Sequence, residues 1–346
     1  MSEQLLTKIY QISKQFNDPV SNQPLNVDNV NFNIIYKDGH ANITINISPN
    51  NQEKYLKLSD DLKNKLKEIK ELLSINIVFT SEKPLSPPSN DKRKFQMPAK
   101  HIIAIASGKG GVGKSTFSVN FAVALNKLGY KIGILDADIY GPSIPRMMGI
   151  SDKPKANDKQ KLVPLENYNI KCMSIGFLIG VETPTIWRGP MVMKALEQMF
   201  NGVEWGELDY LIIDLPPGTG DAQLTLAQSA KLSGSIIIST PQDVALIDAR
   251  KGINMFNKVG VPVLGIVENM SYFICANCNE RHEIFSYGGA KNEANKSNND
   301  FLGELPLDIK LRIHSDEGRP VCATNPEHYL TKLYIDIANK IIKKLQ

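Results

Sequence analysis

The feature that most constrains this 346-residue chain is a β-branched run, Ile102–Ser107, that passes directly into Gly108-Lys109-Gly110-Gly111-Val112-Gly113-Lys114-Ser115-Thr116 and then into a helical stretch stopping at Gly129. A strand, the pattern G-x-x-x-x-G-K-[ST] and a helix together make a phosphate cradle. The glycines let backbone N–H groups converge on phosphate oxygens, and the helix start adds partial positive charge. Lys114 reaches the β and γ phosphates and Ser115 ligands Mg²⁺. A glycine-rich turn without a ligand would leave Lys114 and the Gly and Ser choices around it unexplained.

Short β-branched runs continue to alternate with helical stretches beyond the loop. Lys131–Asp138, Leu208–Leu215, Ser235–Thr240 and Val261–Asn269 read as further strands. This alternation implies right-handed βαβ units and a mostly parallel sheet flanked by helices, with ligands at the strands' carboxyl ends. The polar, Lys-rich stretch from Ser151 to Tyr168 reads as a loop, and there is no internal repeat.

Residues 1–80 read as a separate small α/β module of helix, two strands, helix and strand. Ala41, Ile43, Ile45 and Ile47 alternate with polar residues after a turn at Lys37-Asp38-Gly39-His40. Leu58, Leu62, Leu66, Ile69 and Leu73 follow helical spacing and predict one apolar face. Residues 81–98 hold four prolines among Ser, Lys and Asn and read as an extended linker, leaving 99–346 for the nucleotide domain.

Composition narrows the function classes. Forty basic against thirty-six acidic side chains leave a formal +4, too small a bias to argue for nucleic acid or an anionic membrane. No apolar run approaches the roughly 20 residues of a membrane helix, and Met1–Tyr10 lacks a signal-peptide pattern, so the expected address is cytoplasmic. Leu330, Leu333, Tyr334, Ile337, Ile341, Ile342 and Leu345 form an apolar stripe at the C-terminus. It reads as a last core helix, with a membrane-docking helix as the competing interpretation.

Acidic residues end two of the predicted strands. In Ile134-Leu135-Asp136-Ala137-Asp138 both carboxylates emerge beside the phosphates, where they can hold Mg²⁺ water or orient an attacking water. Capping the following turn is the simpler role for either one. Asp214 closes Leu211–Asp214 and is placed to hold Mg²⁺ through water. The following Pro216–Asp221 reads as a γ-phosphate sensor or as a rigid turn. Asn269 closes another strand, as a base-reading or a turn residue.

Cys275 and Cys278 form a C-x-x-C pair, and such a tight turn brings two sulfurs to one side. Two ligands are too few for a tetrahedral site, whereas a symmetric dimer supplies four thiolates, enough for a [4Fe–4S] cluster or Cys₄ zinc. Zinc within one chain, with His282 as third ligand, and a redox dithiol are the alternatives. Cys172 and Cys322 are isolated and read as buried cysteines.

The segment Lys109–Ser115 resembles the deviant Walker A loop of the partitioning, septum-placing, nitrogenase-reductase and arsenite-pump ATPases. The residues alone allow Lys109 to be a solvated loop charge; the resemblance implies that it acts in trans on a partner's phosphates, that Asp138 is the switch I aspartate and that Asn269 reads adenine. From about Lys100 to Lys344 the chain is similar to the Mrp/NBP35-type iron–sulfur cluster carriers. The similarity rests on Leu135–Pro145 (LDADIYGPSIP), Trp187–Leu196 (WRGPMVMKAL), Asp214–Gln223 (DLPPGTGDAQ), Gly265–Tyr272 (GIVENMSY) and the cysteine pair. The resemblance implies a P-loop NTPase fold and an ATP-binding homodimer that holds a labile cluster between subunits and passes it to apo iron–sulfur proteins, alongside cluster-assembly factors. In that reading Gly108–Thr116 and Asn269 bind ATP, Lys109, Lys114 and Asp138 serve hydrolysis, Ser115, Asp136 and Asp214 hold Mg²⁺, and Cys275 and Cys278 hold the cluster, without nucleic acid or stable membrane association. A positioning ATPase of the septum or plasmid type, dimerising on a membrane or DNA, is the competing function; a pump ATPase would need a second, repeated loop. The N-terminal module resembles the MIP18-like domain, with Asp18-Pro19 at the expected turn, but it has no cysteine and is expected to serve recognition or regulation.

Overall fold

The computed structural model describes residues 2–20, 22–25, 32–37, 40–47, 51–69, 71–80, 98–178 and 189–346. The turn at Asp38-Gly39, nearly all of the 81–98 segment and the start of the WRGP motif lie outside them. The chain forms two compact units, Met1–Lys92 and Arg93–Gln346.

The first unit runs α1 (Ser2–Ser13), β1 (Phe32–Lys37), β2 (His40–Asn46), α2 (Gln52–Leu66) and β3 (Ser74–Thr80). β2 is the central strand, antiparallel to β1 and parallel to β3. Its period-two residues Ala41, Ile43 and Ile45 are buried, and Leu58, Leu62 and Leu66 of α2 with Ile69 close the same core. Leu73 departs from the expected apolar face and is 75% exposed. The helix stops at Leu66, so helical spacing no longer governs where residue 73 points.

The second unit has β4 (Ala99–Ala106), β5 (Ile132–Asp136), β6 (Leu165–Asn167), β7 (Ile170–Ser174), β8 (Leu208–Asp214), β9 (Gly234–Ser239), β10 (Val263–Glu268), β11 (Phe273–Ile274), β12 (Arg281–His282) and β13 (Phe301–Glu304). Eight of these form one sheet in the order β13-β10-β9-β4-β8-β5-β7-β6, parallel except for β6 against β7. β5 and β9 are buried at every residue, as strands covered on both faces must be. β6 occupies the end of a stretch read from sequence as loop. It is three residues long with no fully buried side chain, which leaves no periodic signal.

The helices are α3 (Lys114–Lys127), α4 (Ile144–Met147), α5 (Gly189–Asn201), α6 (Asp221–Ser229), α7 (Asp243–Lys258), α8 (Gly289–Lys296), α9 (Ile309–Asp316), α10 (Val321–Thr324) and α11 (Tyr329–Leu345). The stripe on α11 is core: Leu330, Tyr334, Ile337, Ile341 and Ile342 are buried, and the Tyr334 ring lies 5.8 Å from that of Phe117 on α3. That face is therefore not free to dock on a membrane. Among the described residues no helix is long and apolar enough to cross one. β4 lies between β9 and β8, and the chain leaves it toward β5 on one side and returns to β9 on the other. This reversal opens a crevice at the carboxyl ends of the central strands, where the phosphate loop begins.

Candidate nucleotide and metal site

The loop between β4 and α3 is held open by what surrounds its glycines. Gly113 sits at φ +81°, and a Cβ there would fall 2.2 Å from the Asn269 amide nitrogen. At Gly108 a Cβ would lie 2.1 Å from the Asp248 carbonyl carbon of α7. Any side chain at either position would push the loop off its neighbours. The loop is thus seated on β10 and α7 before any ligand arrives.

Inside it, Lys114 is buried with its ammonium 2.8 Å from Asp214 and 4.0 Å from Asp138. Ser115 Oγ donates to Asp214 Oδ2 at 2.6 Å, and Ser118 Oγ donates to Oδ1 at 2.7 Å. Asp214 is fully buried, so both oxygens take donors in place of water. Removing Lys114 alone would leave an uncompensated buried carboxylate, a defect worth about 3–5 kcal/mol. Ser118, one helical turn beyond Lys114, was not singled out from sequence; a serine inside a helix carries no signal of what its hydroxyl meets.

Asp136 stands directly across the β5–β8 register from Asp214. Its carboxylate accepts from the N–H groups of Asp138 (3.1 Å) and Ile144 (3.2 Å) and from Ser174 Oγ (3.0 Å). These bonds tie the strand end to the turn that follows, the capping role weighed against Mg²⁺ ligation. Burial first and the charge of Asp214 second push its carboxyl up to about 8. Asp138 is less buried; desolvation raises its carboxyl above the usual range and Lys114 pulls it back down. It lines a cleft of about 870 Å³ with Tyr140, Val192, Pro217, Gly218 and Gln223. The Pro216–Asp221 segment is anchored at its first half: Gln223 Nε2 donates to the carbonyls of Pro216 and Pro217, and Gly218 N–H to that of Ser107.

The remaining loop residues separate by exposure. Val112 is buried, whereas Lys109, Gly110 and Gly111 face solvent. Lys109 forms no ion pair among the described residues, and its carbonyl accepts from Ser107 Oγ. Thr116 turns its hydroxyl away from the loop, toward the Met147 sulfur. Asn269 donates to the Val112 carbonyl at 2.8 Å, while its Oδ1 is buried without a partner among the described residues. An orphaned buried acceptor beside the phosphate loop is the complement of an exocyclic amine.

The donor set also fits Mg²⁺. Ser115 and Asp214 present hard oxygens at the loop, and two carboxylates, Asp138 and Asp214, face one buried ammonium.

The cysteine pair follows Asn269 by a few residues. β11 and β12 form a hairpin in which Phe273 pairs with His282 and Ile274 with Arg281. Cys275 N–H donates to the Glu280 carbonyl, Asn279 N–H closes the turn onto the Cys275 carbonyl, and Asn279 takes φ +57°. The N–H of Cys278, then that of Asn277, then the Cys278 thiol hold the Cys275 thiol below its ordinary range. Cys275 is half-buried and Cys278 exposed, whereas Cys172 and Cys322 are buried and burial raises both of their thiols. Glu268, at the end of β10, anchors both ends of the segment. Its buried carboxylate accepts from Ser271 Oγ (2.6 Å) and from the N–H groups of Gly288 (3.0 Å) and Ala290 (2.7 Å).

A phosphate cradle at the carboxyl edge of a mostly parallel sheet, with acids closing the neighbouring strands, defines a P-loop NTPase. The profile of the ParA family described as NUBPL iron-transfer P-loop NTPase matches residues 98–342, and the chain belongs to that family. It is 56% identical over 248 residues to the Arabidopsis thaliana iron–sulfur protein required for NADH dehydrogenase, mitochondrial, covering 71% of this chain and 79% of that one. It is 48% identical to the iron–sulfur cluster carrier protein of Aquifex aeolicus, over 71% and 68% of the two chains. Among solved structures, the Archaeoglobus fulgidus nucleotide-binding protein in complex with ADP, with cobalt, aligns at a TM-score of 0.61 and 41% identity, over 71% of this chain and 96% of that one. The cell-division ATPase MinD of Pyrococcus furiosus, 22% identical with a TM-score of 0.54 over 72% and 100%, shares the fold.

Proposed function

We propose that this protein is an ATP-binding and ATP-hydrolysing carrier that holds a [4Fe–4S] cluster between two copies of itself and transfers it to apo iron–sulfur proteins. The observation that carries the reading is the Cys275–Cys278 pair, with Cys278 exposed and the half-buried Cys275 thiol lowered, on a hairpin that follows Asn269 by a few residues. Two thiolates per chain become four across a two-fold axis, the complement of such a cluster. The names of the relatives support the same cargo.

The roles of the nucleotide residues follow from their placement. Backbone N–H groups of Gly108–Thr116 hold the phosphates, Asn269 Oδ1 accepts from the adenine amine, and the Lys114 ammonium exchanges Asp214 for the β and γ phosphates. Ser115 directly, and Asp214 through water, would hold Mg²⁺, which supplies charge to offset that building on the phosphate oxygens. Asp138 orients the attacking water, the terminal P–O bond breaks, and Lys109 of a second copy steadies the leaving charge. We assign the chain to the cytoplasm, where free thiols persist, and give the cysteine-free first unit a recognition role.

Anaerobic reconstitution tests the cargo. Wild-type protein takes up iron and sulfide with the visible absorption of a cluster, and the Cys275→Ala/Cys278→Ala double variant does not. Equal uptake by the double variant would sink the assignment.

A further inference from the structure

Side chains on the β11–β12 hairpin divide cleanly between its two faces. Arg281 points to one face, where its guanidinium lies 4.0 Å from the Tyr272 ring centroid and 4.7 Å from that of Tyr287, with Glu304 at 3.5 Å. Tyr272 and Ile274 share that face by strand alternation. Residues directly opposite in an antiparallel pair project to the same side. Phe273 with its partner His282, and Cys275 with Glu280 opposite, therefore occupy the other face. Holding Arg281 between two rings fixes the register and turns His282 and Glu280 outward together.

On that outward side the ligand atoms of Cys278, Glu280 and His282 all lie within 4.8 Å of one another, and the Cys275 thiol adjoins that of Cys278. His282 Nε2 and Glu280 Oε2 are 3.8 Å apart. That is too far for a hydrogen bond, yet close to the roughly 3.5 Å edge of a tetrahedron with metal–ligand bonds of about 2.1 Å. The set is sulfur, sulfur, imidazole and carboxylate, all from one chain, which is borderline-soft and suits zinc or ferrous iron rather than magnesium or calcium.

We propose that a single copy of the chain holds one divalent transition-metal ion of the zinc or ferrous class through Cys278, His282 and Glu280, with Cys275 as the fourth ligand. The proposal rests on the reading of Cys275 and Cys278 as cargo ligands and adds a second occupancy for them. The same thiolates cannot serve this ion and a cluster shared between two copies, so the one-chain ion and the two-chain cluster exclude each other. Loading is a ligand exchange without redox change: the metal sheds water, the thiols release their protons to solvent, and metal–sulfur bonds form.

Cobalt(II), a spectroscopically visible substitute for zinc, tests the site on the full-length protein under anaerobic conditions, with molar mass followed by light scattering. The expected result is one cobalt per chain on a monomer, with sulfur-to-cobalt charge-transfer absorption. His282→Asn and Glu280→Gln should each weaken cobalt binding by at least about tenfold, the lower end of what even outer-shell changes cost. Both side chains are exposed, so circular dichroism should be unchanged, and iron and sulfide uptake by the His282→Asn dimer should match wild type. Half a cobalt per chain on a dimer, or cobalt affinity untouched by both substitutions, overturns the one-chain site while leaving the shared cluster standing. If wild type takes up cobalt through His282 but no iron and sulfide, the cluster reading fails and the metal site holds.

Discussion

Asp136, at the end of β5, and Asn269, just past the end of β10, are both buried polar side chains, and their unequal hydrogen bonding gives them different work. Asn269 keeps an open acceptor, whereas Asp136 has three donors and a carboxyl that burial and Asp214 raise from 3.8 to about 8. Between those two values the folded protein carries a proton that the unfolded chain has released, so stability falls as pH rises. The contribution is complete below about pH 4 and is lost as pH climbs through about 8. In Asp136→Asn, which cannot ionise, the melting temperature of the nucleotide-free protein should change less between about pH 6 and about pH 8 than in wild type. Parallel wild-type and variant slopes in thermal melts would refute this. Lys114, Ser115 and Asp214 were legible in the sequence because a motif or a strand end marks each one. Ser118 and Gln223 were not, since their roles exist only once α3 meets β8 and α6 folds back on the loop after β8.

At the scale of elements, Glu268 joins the nucleotide strand to the cysteine hairpin. One carboxylate holds Ser271 at the start of the segment and the Gly288 and Ala290 amides at its return, with both cysteines in between. Glu268→Gln puts an amide N–H against backbone N–H groups and leaves at least one buried donor unmet, a loss of about 1–3 kcal/mol. The expected outcome is a lower melting temperature together with faster hydrogen exchange at Gly288 and Ala290 and faster alkylation of Cys275. A variant that melts lower while exchange and alkylation stay at wild-type rates would restrict Glu268 to a general stabilising role. The central strands could be read from sequence because burial on both faces makes them apolar throughout. The hairpin could not, since two-residue strands carrying Arg281 and His282 have no periodicity and their register is set by Arg281 stacking on Tyr272 and Tyr287.

For the whole molecule, the mostly parallel sheet was readable because strand–helix alternation is a property of long stretches. What no single chain displays is the use of Lys109, which is exposed in a loop whose other lysine is already buried against Asp214. Under the proposed function this rim cation, without an ion pair among the described residues, reaches the nucleotide of a second copy. Lys109→Ala should retain ATP binding by the single chain but lose ATP-dependent dimer mass in light scattering. Its phosphate release should fall on the order of 10³-fold, the lower end for a cation supplied in trans. Mixing separates this from a role within the chain. In a mixed dimer of Lys109→Ala with Asp138→Ala, action in trans leaves one site with an intact Asp138 and the partner's intact Lys109, so two inactive proteins regain activity together. If Lys109 acts within its own chain, every site in the mixture lacks one group, and the pooled rate stays at the sum of the two variants.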